Sequence, residues 1–166
     1  QIAGDLATLG LQESAKSVTP EWGAEPERNA ILVLGANGIL GTGFAQAVLE
    51  LKQSGKPCPE VIFAARSALP ECQPWIALQS LAGVGFRQLS TEPGREELDA
   101  LIRGTRARSV VNCIGNTNVV VPYHDLRPAN VNQVRELVDS CVRHDVRLVH
   151  LSTHIVNADA TEPRVT

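Results

Sequence analysis

Gly35, Gly38 and Gly41 recur at three-residue intervals directly after the apolar run Ile31–Leu34. That spacing suits one kind of chemistry, the cradling of a dinucleotide pyrophosphate. In such a turn Gly35 makes the tight strand-to-helix reversal. Gly38 lets backbone approach the phosphates, and Gly41 lets the helix lie close to the strand. The phosphates would sit over free N–H groups at the helix start, around Asn37, Ile39 and Leu40, where the helix dipole favours negative charge. The alternative is a bare structural turn. An apolar strand before the glycines and a helical pattern after them favour the nucleotide reading.

Further positions bear on the same chemistry. In a dinucleotide fold the residue ending the second strand meets the adenosine ribose: a carboxylate there takes the 2′-hydroxyl of NAD, and an arginine accepts the 2′-phosphate of NADP. Here the segment reads Val61–Ile62–Phe63–Ala64–Ala65–Arg66–Ser67. It carries no carboxylate, and Arg66 offers a planar, multidentate donor, so NADP is the expected cofactor. The plain alternative is a solvated arginine at a strand end. Gly115, after the fourth strand, would let the cofactor pass close to backbone. Thr153, after the fifth, would either present a hydroxyl near the nicotinamide or bond to a turn.

These residues need a scaffold, and the hydrophobic pattern supplies one. The alternation predicts strands at Ile31–Leu34, Val61–Ala65, Val84–Leu89, Val110–Ile114 and Val146–Leu151. Between them come helical stripes at Phe44, Val48 and Leu51, at Trp75, Leu78 and Leu81, around Glu96–Arg103, and at Val131, Val134, Leu137, Val138 and Cys141. Strands alternating with helices imply right-handed crossovers and a doubly wound parallel sheet, a Rossmann-like α/β fold of strand order 3-2-1-4-5 that stops before a sixth strand. Ligands then sit outside the carboxyl ends of the strands, where the order reverses. Residues 1–29 read as a leader and linker: Ile2, Leu6 and Leu9 recur at helical spacing, and Pro20, Gly23 and Pro26 follow. Residues 30–166 form the nucleotide-binding domain.

Bulk properties narrow the function. The 166 residues carry a net charge of −3, so no basic face points to nucleic acid or an anionic membrane. No apolar run reaches the length of a membrane span. Cys58, Cys72, Cys113 and Cys141 lack paired metal spacing, and Cys113 and Cys141 fall in apolar segments; reduced thiols in a cytoplasmic protein are expected. His150 and His154 are four apart, but on a strand pattern that spacing does not make a metal site.

With these residues in place the sequence resembles an extended short-chain dehydrogenase/reductase. More narrowly it is similar to the thioester reductase domains of nonribosomal peptide and polyketide synthetases and of carboxylic acid reductases. The narrower likeness rests on Asn118–Val119–Val120–Val121–Pro122–Tyr123–His124–Asp125–Leu126–Arg127–Pro128–Ala129–Asn130–Val131 and on Val149–His150–Leu151–Ser152–Thr153. It covers roughly residues 30–157. The resemblance implies NADPH binding, with Asn130 among the cofactor-site residues and Thr153 as the catalytic threonine. It also implies reduction of an acyl thioester, delivered on the phosphopantetheine arm of a carrier protein, to aldehyde or alcohol. Hydroxyl donors at the carbonyl oxygen would stabilise the alkoxide charge that grows as hydride arrives. The family's Tyr and Lys lie four apart beyond the fifth strand. Here Tyr123 is the only tyrosine and Lys56 the last lysine. The expectation is the cofactor-binding part of a reductase, inactive by itself. A non-catalytic Rossmann scaffold or docking module in a synthetase is the alternative, and a sugar-nucleotide epimerase fragment shares only the glycine turn.

Overall fold

The computed structural model describes residues 29–116, 120 and 122–152. Five parallel strands, β1 (Ala30–Leu34), β2 (Glu60–Ala65), β3 (Val84–Gln88), β4 (Ala107–Asn112) and β5 (Arg147–His150), lie in the order β3-β2-β1-β4-β5. The expected doubly wound sheet is therefore the observed one. Residues Ile31, Leu32, Val33 and Leu34 of β1 face Val61–Ala64 of β2 on one side and Ser109–Asn112 of β4 on the other. β1 is the central strand, and the crossovers leave it in opposite directions, which creates the switch point between β1 and β4.

Strands buried on both faces explain the unbroken apolar runs. Leu32, Val33 and Leu34 are at most 1% exposed, so the run lacks polar alternation. Leu32, Leu34, Ile62 and Val110 point to one face, where α3 (Arg95–Gly104) contributes Leu98 and Ile102 and α5 (Gln133–Arg143) contributes Leu137 and Cys141. Val33, Val61, Phe63 and Val111 point to the other, against α1 (Ile39–Gln53) and the short α2 (Trp75–Leu78). Trp75 is fully buried and meets Phe63 edge-on, with ring centroids 5.3 Å apart. That geometry aligns the positive ring edge with a negative ring face.

Several expected boundaries move. The core-facing side of α1 is Gly41, Ala45, Val48 and Leu49, while Leu51 is exposed. In α5 Val138 is exposed and Ser140 takes the buried place beside Leu137 and Cys141. β4 ends at Asn112 rather than Ile114. The cause is local: the Asn112 side-chain carbonyl accepts the Ile114 N–H at 3.0 Å, which turns the chain out of the ladder. Before α5 lie two elements that apolar periodicity did not announce, α4 (Tyr123–Arg127) and a π-helical turn (Pro128–Asn132). Proline at the junction has no N–H to continue an α ladder, and the Gln133 N–H bonds instead to the Pro128 carbonyl five residues back. The leader with Ile2, Leu6 and Leu9, and Thr153 with His154, lie outside the described residues.

Candidate nucleotide-binding site

The glycine turn joins β1 to α1. Gly35 has φ +78°, a left-handed conformation, and its N–H and that of Ala36 both donate to the Ala64 carbonyl at 3.0 and 3.1 Å. The turn is thereby tied to the end of β2. A Cβ on Gly35 would stand 2.9 Å from the Cys113 carbonyl carbon, so the residue also abuts the end of β4. At Gly41 a Cβ would lie 2.3 Å from the Gly35 carbonyl oxygen and 2.6 Å from Ala36 Cα. That helix position must be glycine for α1 to pack where it does. Gly38 differs: a Cβ there would meet only the Gly35 carbonyl, at 3.3 Å.

Gly38 is also the N-cap of α1, and as a glycine it supplies no side-chain acceptor. The Gly38 carbonyl accepts from Thr42 at 2.8 Å. The N–H groups of Ile39, Leu40 and Gly41, which belong to the first helical turn, have no acceptor among the described residues. Ile39 is 93% exposed, so the side chains do not shield this end. Uncapped donors at the start of a fifteen-residue helix leave a surface of positive potential.

Asn37 does something else. Its amide donates to the Ser67 carbonyl (3.0 Å), the Ser67 hydroxyl (2.8 Å) and the Ala68 carbonyl (3.0 Å). This side chain clamps the loop after β2 onto the glycine turn. Arg66, one residue before that loop, accepts a bond from Gln88 Nε2 on its backbone carbonyl at 3.4 Å, while its guanidinium has no partner among the described residues.

A cleft of about 720 Å³ opens over the carboxyl ends of the strands. It brings together Arg66, Thr91 and Pro93 after β2 and β3, Gly115 and Asn116 after β4, and Ala129 and Gln133 from the π turn and α5. Among the described residues Arg66 is the only cationic side chain lining it, against the carboxylates Glu92, Asp125 and Glu136. Glu136 is already paired with Arg95 at 2.9 Å. The glycines of the turn do not line this cleft; Ile114, whose N–H abuts Gly35, does.

Asn130 is brought to the site, but its amide is spent on protein. Its Oδ1 accepts the Asn116 N–H at 2.7 Å and its Nδ2 donates to the Asn116 carbonyl at 2.8 Å. The π turn places this amide so that both backbone groups of one residue are satisfied. Gly115 sits beside it, and a Cβ there would find the Asn130 oxygen at an ordinary 3.7 Å. Nothing in the fold itself demands glycine at 115. Burial raises the thiol pKa of Cys113, next to the site, which disfavours its thiolate, and Cys141 is pushed up to about 11 by the same cause. Among the described residues no group of His, Cys, Asp or Glu could hold a metal ion, and no helix is long and apolar enough to cross a membrane.

Sequence reading missed Asn112 and the clamping roles of Asn37 and Asn130. Asparagine in an N-G turn or before a helix carries no mark of the partner it will find across the fold.

Over 99% of its length the chain is 54% identical to the isonitrile lipopeptide synthase of Mycobacterium marinum, of which it spans 12%. Among solved structures it is similar to the dTDP-glucose 4,6-dehydratase DesIV of Streptomyces venezuelae, solved with NAD and TYD bound (20% identity, TM-score 0.64, 81% of this chain and 42% of that one). It is also similar to the terminal R domain of the myxalamid PKS-NRPS pathway (18% identity, TM-score 0.54, 76% and 35%). At those identities the solved structures speak for the fold. Residues 31–166 match the NAD dependent epimerase/dehydratase family, and the chain belongs to it.

Proposed function

We propose that this chain is the NADPH-binding part of a thioester reductase within a multidomain synthase. The observation that carries the reading is the uncapped start of α1 over Gly38, set beside a cleft whose single cation among the described residues is Arg66. The residues fit the cofactor. First-turn N–H groups of Ile39, Leu40 and Gly41 would hold the pyrophosphate, and Gly38 leaves room for it. Arg66, with no carboxylate beside it on β2, would take the 2′-phosphate. Asn37 and Asn130 act one step back, holding the loops at Ser67 and Asn116. Bound NADPH supplies the hydride. Thr153, three residues beyond the end of β5 in sequence, would donate a hydrogen bond to the thioester carbonyl oxygen. The likeness to a lipopeptide synthase supports an acyl group presented on the phosphopantetheine of a carrier protein, or by a neighbouring synthetase domain, in the cytoplasm. Four unpaired cysteines agree with a reducing compartment.

Fluorescence titration with NADPH and NADH tests the cofactor assignment directly. Tighter binding of NADPH, lost on Arg66→Ala, is the expected result. No binding of either nucleotide would leave a scaffold or docking role, and equal affinities would remove the phosphate role of Arg66.

A further inference from the structure

At the carboxyl ends of β4 and β5 a buried amide meets an exposed histidine on the edge strand. Asn112 is 1% exposed, and its Nδ2 stands 3.0 Å from His150 Nδ1. The two residues are direct register partners on adjacent strands. Asn112 Oδ1 is committed to the Ile114 N–H at 3.0 Å, the bond that ends β4. That commitment orients the amide: turned over, its NH2 would face the Ile114 N–H, donor against donor. Nδ2 therefore donates toward the histidine, and His150 Nδ1 must be the acceptor.

We infer that His150, as the neutral tautomer with its proton on Nε2, is a positioning residue that acts through Asn112 to hold the Cys113–Asn116 loop of the nucleotide site. The chain of contacts is short. His150 Nδ1 fixes the Asn112 amide, Asn112 Oδ1 fixes the Ile114 N–H, and Ile114, Gly115 and Asn116 line the cleft. From the opposite side Asn130 grips Asn116 through both backbone groups. The loop is thus held at both ends by side-chain amides, one anchored in the π turn and one in the sheet. A buried amide that lost its acceptor would have reason to rotate, releasing Ile114 as it did so. Among the described residues no carboxylate pairs with His150, so Asn112 is the partner that orients its ring.

The importance of this loop for cofactor rests on the function proposed above; the tautomer and the loop's order do not. Long-range 1H–15N correlation on the 166-residue chain reads the tautomer, and amide exchange reads the loop. The expected spectrum shows His150 protonated on Nε2. His150→Leu should then speed exchange at Ile114 and Asn116. His150→Asn, whose Oδ1 stands where Nδ1 did, should restore protection. NADPH titration of the same proteins should show about two- to tenfold weaker binding for His150→Leu, the net effect of one hydrogen bond, and near-normal binding for His150→Asn. A proton on Nδ1, or loop amides indifferent to His150→Leu, would overturn the assignment. Failure of every protein to bind nucleotide would count against the proposed function alone, because exchange and tautomer are read without it.

Discussion

At the scale of single residues the three glycines are not equivalent, and substitution separates them. Gly41→Ala drives a Cβ into the backbone of Gly35 and Ala36, which cannot step aside without moving α1. A loss of about 1–3 kcal/mol in unfolding free energy is expected from such overpacking, measurable by urea denaturation. Gly38→Ala meets only a carbonyl oxygen at 3.3 Å and should leave stability nearly intact. In the proposed site it would instead occupy the approach to the pyrophosphate and weaken NADPH binding by at least about tenfold, or 1.4 kcal/mol. If both substitutions behaved alike in both assays, the division between packing glycine and phosphate glycine would be lost. Arg66→Ala belongs at this scale too. A charge-assisted contact is worth about 1.5–3 kcal/mol, so the variant should lose a tenfold or greater preference for NADPH over NADH without change in stability.

Between elements, the contact of α3 with α5 is polar on its outer side and responds to pH. Burial alone would raise the Asp99 carboxyl pKa, but the polarity of the nearby Ser140 hydroxyl and the charges of Arg143 and His144 outweigh it and hold the group below the usual range. The folded pKa lies under the unfolded one, so the stabilisation is fully present above an unfolded value of about 3.9 and disappears as pH falls through the folded value. Asp99→Asn should therefore lower stability near neutrality, where the carboxylate and its partners act, and flatten the acid limb of the stability curve. Arg95 bridges Glu136 and Asp139 across the same helices at 2.9 Å each. These pairs are solvent-exposed and worth little individually. The π turn makes a separate prediction. Asn130→Ala removes two bonds to Asn116, and amide exchange there should reveal a local loss of about 1–3 kcal/mol, with the sheet unaffected.

For the molecule as a whole, binding and turnover should come apart. The single tyrosine, Tyr123, precedes β5, and no lysine follows Lys56. Thr153 alone would have to carry the carbonyl oxygen. Loss of one preorganised donor typically slows such a step about 100- to 1,000-fold. The 166-residue chain is thus expected to bind NADPH yet show no thioester-dependent oxidation of it. Spectrophotometric turnover that required an acyl thioester and vanished in Thr153→Val would reverse that view.

The inner strands β1 and β2 were legible because they are buried on both faces and therefore written as unbroken apolar runs, Ile31–Leu34 and Val61–Ala65. Gly35 and Gly41 were legible because backbone tightness admits one residue type, whatever the rest of the fold does. Periodicity could not announce α4 and the π turn, since short exposed elements bury no stripe. Nor could it locate the end of β4, which depends on a side-chain bond within three residues. The roles of Asn37, Asn112 and Asn130 were decided by tertiary structure alone. An amide can donate or accept in any direction, and only packing brought Ser67, His150 and Asn116 within 3 Å of them.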